Sequence, residues 1–197
     1  MTRRGQYAKG AAKRAEILAV ALDVVAEMGT RKSSNREIAA RVGLTQPGLM
    51  HYFRTREDLF VEVLRARDAR DHEQFYSPDQ GFQGFLDVIA HNATVPGLVR
   101  LYVEYSAEAT IEGHPARAYF EERFAWVRAL VIESVESEQA AETMGTGVDV
   151  PYVADLMIAA ADGLQVQWLL DPSIDMAARL SRLWEGIRAT SWTPIEA

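Results

Sequence analysis

Apolar residues recur at steps of three and four along most of the chain, which predicts a protein built of α-helices. The first helix is predicted from Ala11 to Met28, and Gly29 follows it as a helix stop. Later helices are separated by turn signals at Ser77-Pro78-Asp79, Gly113-His114-Pro115 and residues 144–147. Alternating strand patterns are nearly absent. The expected fold class is therefore all-α, with about nine helices.

Two short helices are predicted directly after the first. Ser34-Asn35-Arg36-Glu37 forms a capping-box sequence that begins one of them, and Gly43 ends it. Thr45 is placed to cap the other, where Pro47 is tolerated because an amide in the first turn has no helical partner. Two short helices joined by Gly43-Leu44 predict a helix-turn-helix, whose second helix fits the major groove of DNA.

The charge distribution supports a polyanionic partner, although the total charge does not. The 197 residues carry a formal net charge of −7. Residues 1–56 hold eleven basic and four acidic residues, a net +7, so the rest of the chain carries −14. A basic segment on an acidic body suggests that the basic segment meets nucleic acid, the alternative being an ordinary solvated surface.

Composition excludes several other classes of protein. The absence of cysteine rules out disulfides, thiolate zinc sites and cysteine nucleophiles. The longest apolar runs have six residues, Ile17–Leu22 and Leu156–Ala161, so no membrane partner is expected. The N-terminus lacks the apolar stretch of a secretory signal, and a soluble cytoplasmic protein is expected.

Enzymatic chemistry finds little support in the sequence. The four histidines have no spacing typical of a metal site or a catalytic triad, and no phosphate-binding glycine loop is present. We therefore expect no catalytic residue, no metal and no cofactor.

The stretch from Arg14 to Phe60 resembles the DNA-binding domain of TetR-type bacterial transcriptional regulators. The motifs in register are Gly29, Ile38-Ala39, Gly43-Leu44-Thr45, Tyr52-Phe53 and Glu57-x-Leu59. The resemblance implies a homodimer that represses transcription and releases DNA when a small molecule binds its C-terminal domain. It also implies a helix-turn-helix DNA-binding domain with a basic N-terminal arm over residues 1–56. Residues 57–197 would then form a helical effector-binding and dimerisation domain.

Three positions depart from the family pattern. Met50 stands where the family often has a phosphate-binding Tyr, and a thioether cannot donate a hydrogen bond. Arg56 replaces the family's usual Lys and keeps its charge. Pro47 lies within the recognition helix, as in one branch of the family.

The candidate DNA contacts lie in or beside the two short helices, or in the basic arm. They are Ser34, Arg36, Thr45, Gln46, Pro47, Gly48, His51, Tyr52, Arg56, Arg3 and Arg4. Gln46 can pair with adenine, and the cations can meet phosphates. The alternatives are that Gln46 and His51 are plain surface residues, that the arm is a disordered tail, and that Ser34 serves as a helix cap.

The effector site and the dimer interface are less sharply defined. Aromatic and polar residues of the C-terminal segment are candidates for a ligand pocket, although the aromatic ones suit a plain core as well. The ligand candidates are Phe85, His91, Tyr102, Ser106, Tyr119, Gln165 and Trp168. The last two helices offer small and apolar residues for a dimer interface, with monomer core as the alternative: Ala159, Gly163, Leu180, Leu183, Trp184 and Ile187.

The sequence thus predicts a ligand-responsive regulator that binds a palindromic double-stranded DNA operator as a homodimer and answers to an unknown small molecule. The junction between the helix predicted from Arg56 to His72 and the body of the protein is the candidate hinge. Two alternatives remain within DNA binding: a regulator without a small-molecule effector, and an architectural protein that binds DNA without regard to sequence.

Overall fold

The computed structural model describes residues 3–30, 32–77 and 80–189, with the backbone alone for residues 3–8. Over these residues the chain forms nine α-helices and no strand, in agreement with the predicted fold class. They are α1 Arg3–Met28, α2 Asn35–Arg41, α3 Gln46–Met50, α4 Arg56–Phe75, α5 Phe82–Asn92, α6 Pro96–Glu108, α7 Arg117–Ala140, α8 Val150–Leu170 and α9 Met176–Ala189.

Helix α1 begins earlier than the apolar pattern predicts. It begins at Arg3 rather than Ala11, because the intervening residues include Arg, Lys, Ala and Gln, which favour helix even without an apolar stripe. The predicted basic arm is therefore part of α1. The candidate DNA contacts Arg3 and Arg4 have side chains outside the described residues.

The chain divides into two compact units, and the first comprises residues 1–70 and 95–119. It contains α1 to α3, α6 and most of α4. The predicted helix stops Gly29 and Gly43 have φ of 69° and 68°, a left-handed conformation that glycine adopts without strain. The core of this unit includes the fully buried side chains of Ile17, Val24, Ile38, Leu49, Leu59 and Leu64.

Helices α1 and α6 approach each other closely at Gly97. A Cβ atom at this position would lie 2.0 Å from the Val25 carbonyl oxygen and 2.9 Å from that of Ala26. Glycine is therefore required in the first turn of α6, because any side chain would push α1 away.

The second unit comprises residues 71–94 and 120–197. In it α9 packs against α5 and α8. The Phe82 and Trp184 rings stack with centroids 3.9 Å apart, and both are buried. Arg128 of α7 pairs with Asp155 of α8.

A partly buried ion pair joins α7 to α9. The Glu138 carboxylate accepts hydrogen bonds from Arg188 at 2.6 and 2.8 Å and from the Trp184 indole at 3.0 Å. Burial alone would raise the pKa of Glu138, but the bonds from Arg188 and Trp184 outweigh it and hold that pKa below its ordinary value.

Helix α8 is long and apolar enough, by length and composition, to cross a membrane. It nevertheless packs on α9, burying Val153, Met157, Ala161 and Trp168 in the second unit. One side of α8 is thus buried in the second unit, whereas Tyr152, Val166 and Leu170 are exposed.

We predict that Gly97→Ala lowers the free energy of unfolding by about 1–3 kcal/mol, because the methyl group cannot fit against the α1 backbone. Gly186→Ala is the matched control, since a Cβ there meets no atom within 4 Å and alanine stabilises a helix interior by about 0.5–1 kcal/mol. Urea unfolding followed by circular dichroism measures both. Equal effects of the two substitutions would contradict the close crossing.

We also predict that Glu138→Gln lowers the free energy of unfolding at pH 7 by about 1–3 kcal/mol, because Arg188 loses its charged acceptor. A carboxylate with a lowered pKa stabilises the fold above its unfolded pKa, and this contribution is lost as the pH falls through the lower folded value. The variant and the wild type should therefore converge in acid. Glu136→Gln on the exposed side of α7 is the control, and urea unfolding across pH is the measurement.

Candidate nucleic-acid interface

Helix α3 is short, and its two sides have opposite environments. Thr45 caps it by accepting a hydrogen bond from the Gly48 amide at 3.2 Å, and Pro47 lies in the first turn, as predicted. Leu49 is completely buried, whereas Gln46 and Pro47 are exposed. The outer side of α3 is therefore available to a partner.

The residues that follow α3 extend this outer surface. His51 is exposed, Tyr52 is half-buried, and their rings meet edge to face at 5.9 Å. Phe53 is buried, with the Arg14 guanidinium 5.1 Å from its ring centre. His51 and Tyr52 thus lie beside the exposed residues of α3, and Phe53 anchors the segment in the core.

Ser34 begins α2, as the capping-box sequence predicts. Its hydroxyl accepts a hydrogen bond from the Glu37 amide at 3.1 Å. The reciprocal half of the box is missing, because the Glu37 carboxylate pairs with Arg41 at 3.1 Å. Ser34 is thus a helix cap. Arg36 lies in the first turn of α2 and is exposed.

Met50 lies against α2. The Asn35 side-chain amide donates to the Met50 sulfur at 3.2 Å, and Met50 is half-buried. Met50 therefore holds α3 against α2. It does so at the position where the family that this chain resembles often has a phosphate-binding Tyr.

Several cations of the first unit already have partners. Lys13 pairs with Glu16 and donates to the Val42 carbonyl oxygen, and Arg14 pairs with Glu62 at 2.7 Å. Arg41 pairs with both Glu27 and Glu37, at 2.8 and 3.1 Å. These contacts fix α1, α2 and α4 in place.

Arg56 is also held within the first unit. It donates to the Thr30 carbonyl oxygen at 2.8 Å, and its guanidinium lies 4.6 Å from the centre of the Phe60 ring. It is half-buried. A structural role at the start of α4 thus accompanies the phosphate contact predicted for Arg56.

Some of the cations that remain available lie beside the two short helices. Lys32 and Arg36 are exposed and have no ion pair within the described residues. The Arg54 side chain is 91% exposed and pairs with Asp58 at 3.2 Å. Sequence reasoning named Arg36 but not Lys32 or Arg54. Lys32 lies just before α2 and Arg54 just after α3. These positions in the sequence could have identified both as candidate phosphate contacts.

Tyr105 lies close to the start of α4. Its ring meets Phe60 edge to face at 6.0 Å. Burial raises the pKa of the Tyr105 hydroxyl above its usual range, and the Glu57 and Glu108 carboxylates raise it further. Tyr105 therefore stays neutral at physiological pH and adds no charge near Arg56.

The ligand candidates are divided between the two units. Tyr102, Ser106 and Tyr119 belong to the first unit, where the Tyr119 hydroxyl donates to Asp68 at 2.6 Å. Phe85, His91, Gln165 and Trp168 belong to the second. None of the seven lines either of the two cavities described in the second unit. Within the described residues, no cluster of three or more His, Asp or Glu could hold a metal ion.

The dimer candidates require a correction. Leu180, Trp184 and Ile187 are buried in the core of the second unit, at 3% exposure or less, so they are not available to a second copy. Their apolar stripe is covered by the chain's own helices. Leu183 is half-buried, whereas Ala159 and Gly163 are exposed on α8.

The comparisons with known proteins agree with the arrangement of the short helices. A family model described as bacterial regulatory proteins, tetR family, matches residues 17–63. Among curated proteins, none matches the chain.

Solved structures share the fold. A TetR-family regulator from Rhodococcus sp. is 20% identical with a TM-score of 0.69, covering 90% of this chain and 100% of that one. A regulator from Saccharomonospora viridis in complex with choline is 19% identical with a TM-score of 0.69, covering 89% and 96%. The regulator FadR from Bacillus subtilis in complex with stearoyl-CoA is 18% identical with a TM-score of 0.63, covering 88% and 96%.

These TM-scores establish a common fold, and the family match covers α2, α3 and parts of α1 and α4. On that match, residues 17–63 contain the helix-turn-helix of the tetR family of bacterial regulatory proteins.

Proposed function

We propose that the protein is a ligand-responsive repressor that binds a palindromic operator as a homodimer and is released from it by a small molecule. The observation that carries the proposal is the exposed outer side of α3, with Gln46, Pro47 and His51 in solvent and Leu49 buried behind them. A slim polar helix side of this kind fits the major groove.

Each part of the interface has a distinct role in this proposal. Gln46 reads a base edge, with adenine the favoured partner of its amide. His51 and Tyr52 contact a base or the adjoining backbone. Arg36, with Lys32 and Arg54, contacts phosphates, which fix orientation without carrying sequence information.

A dimer is needed because one short helix reads too few base pairs for specific binding. Two copies place their recognition helices about 34 Å apart, in successive major grooves of a palindrome. The candidate interface is the exposed side of α8, where Ala159 and Gly163 permit close approach and the neighbouring Val166 and Leu170 are 45% and 84% exposed.

The response to a ligand rests on a shift between two conformations. Solved structures of the same fold hold choline or stearoyl-CoA, which supports a small-molecule ligand of some kind. Helix α4 runs without interruption from Arg56 to Phe75 and contributes to both units, so it is the proposed hinge. A complete switch requires a ligand that binds one state better by about 5.5 kcal/mol.

A regulator without a small-molecule effector is the alternative, and loss of DNA affinity on adding ligand separates the two. An enzymatic role has no support, since the family consists of transcriptional regulators. A protein that binds DNA without regard to sequence would recover all fragments equally in the experiment below.

We predict that Gln46→Ala weakens binding to the specific operator by about 1–3 kcal/mol and relaxes sequence preference, because a base-edge contact is lost. The operator is first selected from fragmented genomic DNA with the purified protein, and affinities then come from fluorescence anisotropy. Gln74→Ala, the same change at an exposed position of α4, is the control. Arg36→Ala should instead weaken binding to all DNA sequences by a similar factor. It should also reduce the slope of log affinity against log salt concentration by about the contribution of one phosphate contact. If Gln46→Ala changes neither affinity nor preference, α3 is not the reading helix.

We further predict that Ala159→Glu converts the dimer into a monomer of 22.0 kDa, because two-fold symmetry brings both new carboxylates into one interface. Ala125→Glu, the same change at an exposed position of α7, should leave the mass unchanged. Light scattering after size-exclusion chromatography measures the mass. A monomeric wild-type protein, or a dimeric Ala159→Glu variant, would rule out this interface.

A further inference from the structure

A cavity of about 430 Å³ lies within the second unit and is lined by none of the residues that the sequence suggested for a ligand. Its walls come from the end of α4, the segment before α5, and one side of α7. The described lining residues include His72, Tyr76, Trp126, Glu133 and three serines. The volume lies within the range of small-molecule sites.

Three aromatic rings form a corner of this cavity. His72 and Tyr76 stack at 5.6 Å with planes 26° apart. The Trp126 ring stands against both, at 5.2 Å and 84° to Tyr76 and at 5.9 Å and 69° to His72. Trp126 lines the cavity and remains 38% exposed, so the corner is not closed by the protein's own side chains.

The charge of the cavity wall is negative. Glu133 is the one acidic residue among the described lining residues, and neither Lys nor Arg lines the cavity. Glu133 is exposed and makes no hydrogen bond or ion pair within the described residues. Ser77, Ser134 and Ser137 add hydroxyl groups, and the Ser134 hydroxyl donates to its own helix at the Leu130 carbonyl oxygen.

The neighbouring cavity of the same unit has a different character. It includes Glu138 and Arg188, but these two charges are bonded to each other and therefore offer little to a ligand. The Glu133 carboxylate has no such partner, so it is available to a ligand that binds at the aromatic corner.

We propose that this cavity binds an organic cation, a quaternary ammonium or a protonated alkylamine, with the charged group against the aromatic corner and Glu133 as its counter-ion. Aromatic ring faces attract cations through their quadrupole, and an unpaired carboxylate adds to this attraction. An anion would meet Glu133 and no positive lining residue. A neutral ligand would gain no ionic attraction from the Glu133 carboxylate.

The position of the cavity suits an effector site, a role that rests on the proposed function. His72 lies in the last turn of α4 and Tyr76 follows its end, while the first residue of the same helix, Arg56, is bonded to Thr30 beside the helix-turn-helix. A cation held by His72 and Tyr76 therefore contacts one end of the helix whose other end adjoins the DNA-binding segment.

The test compares three small probes of similar shape on the full-length protein without DNA. They are the cation trimethyl(3-hydroxypropyl)ammonium, its neutral counterpart 4,4-dimethylpentan-1-ol, and the anion 4,4-dimethylpentanoate. Calorimetry and tryptophan fluorescence report binding. We expect the cation to bind about tenfold or more tightly than the neutral probe, and the anion not to bind, as cation–π and ionic contacts predict.

Substitutions assign the binding to this cavity. Trp126→Leu should weaken binding of the cation by about tenfold, and Glu133→Gln by about three- to tenfold. Glu136→Gln removes the same charge from an exposed position of α7 that does not line the cavity, so binding should stay within about twofold of wild type. Thermal unfolding of each variant checks that the fold is kept.

Equal binding of cation and neutral probe, no binding of the cation at ~10 mM, or equal effects of Glu133→Gln and Glu136→Gln would each overturn the assignment. Operator release is measured separately. A cation that binds without releasing DNA leaves the cavity assigned and contradicts the effector role. If another compound releases the DNA without competing with the cation, the proposed repressor function stands. The effector site then lies outside this cavity.

Discussion

The burial of Leu49 and Phe53 is the constraint on which the DNA-binding surface depends. Helix α3 has five residues, too few for a helix to be stable without tertiary contacts. The Thr45 cap satisfies one amide at its start, and Leu49 holds it in the core of the first unit. Because successive residues of a helix are rotated by about 100°, burial of Leu49 places Pro47, two residues earlier, on the opposite side, in solvent. Gln46 is exposed as the first residue of the helix. The exposed reading side is thus a consequence of core packing.

The basic charge of the N-terminal segment has two separate uses. Lys13, Arg14 and Arg41 bind acidic side chains, and Arg56 binds a backbone carbonyl oxygen, so these residues hold helices together. Three exposed cations lie just before α2, within it and just after α3, and Lys9 is exposed on α1. Net charge therefore overstates the number of cations that can meet phosphates, while their positions still concentrate them around the two short helices.

The second unit uses aromatic side chains in two environments. Phe82 and Trp184 stack inside the core, where Glu138 satisfies the indole N–H that burial would otherwise leave unpaired. His72, Tyr76 and Trp126 pack on one another beside a cavity, and Trp126 stays partly in solvent. The first cluster stabilises the fold, whereas the second offers ring surface and a nearby carboxylate to a ligand.

The sequence by itself determined the helices, their caps and the polar side of α3. These features depend on residues close together in the chain: a hydroxyl three residues before an amide, a glycine at a left-handed position, an apolar residue at each turn. The fold class and the helix-turn-helix were predicted for that reason. The boundary after residue 56 stays a prediction, and it falls inside the first compact unit.

Only the tertiary structure decided what covers each apolar stripe and which partner each charge takes. Periodicity groups Leu180, Trp184 and Ile187 on one side of α9, but a core and a second copy of the chain suit such a stripe equally well. The structure places that stripe in the core. The partners of Arg56 and Arg188 lie 26 and 50 residues away along the chain. Contacts over such distances depend on how helices pack, which local pattern does not encode.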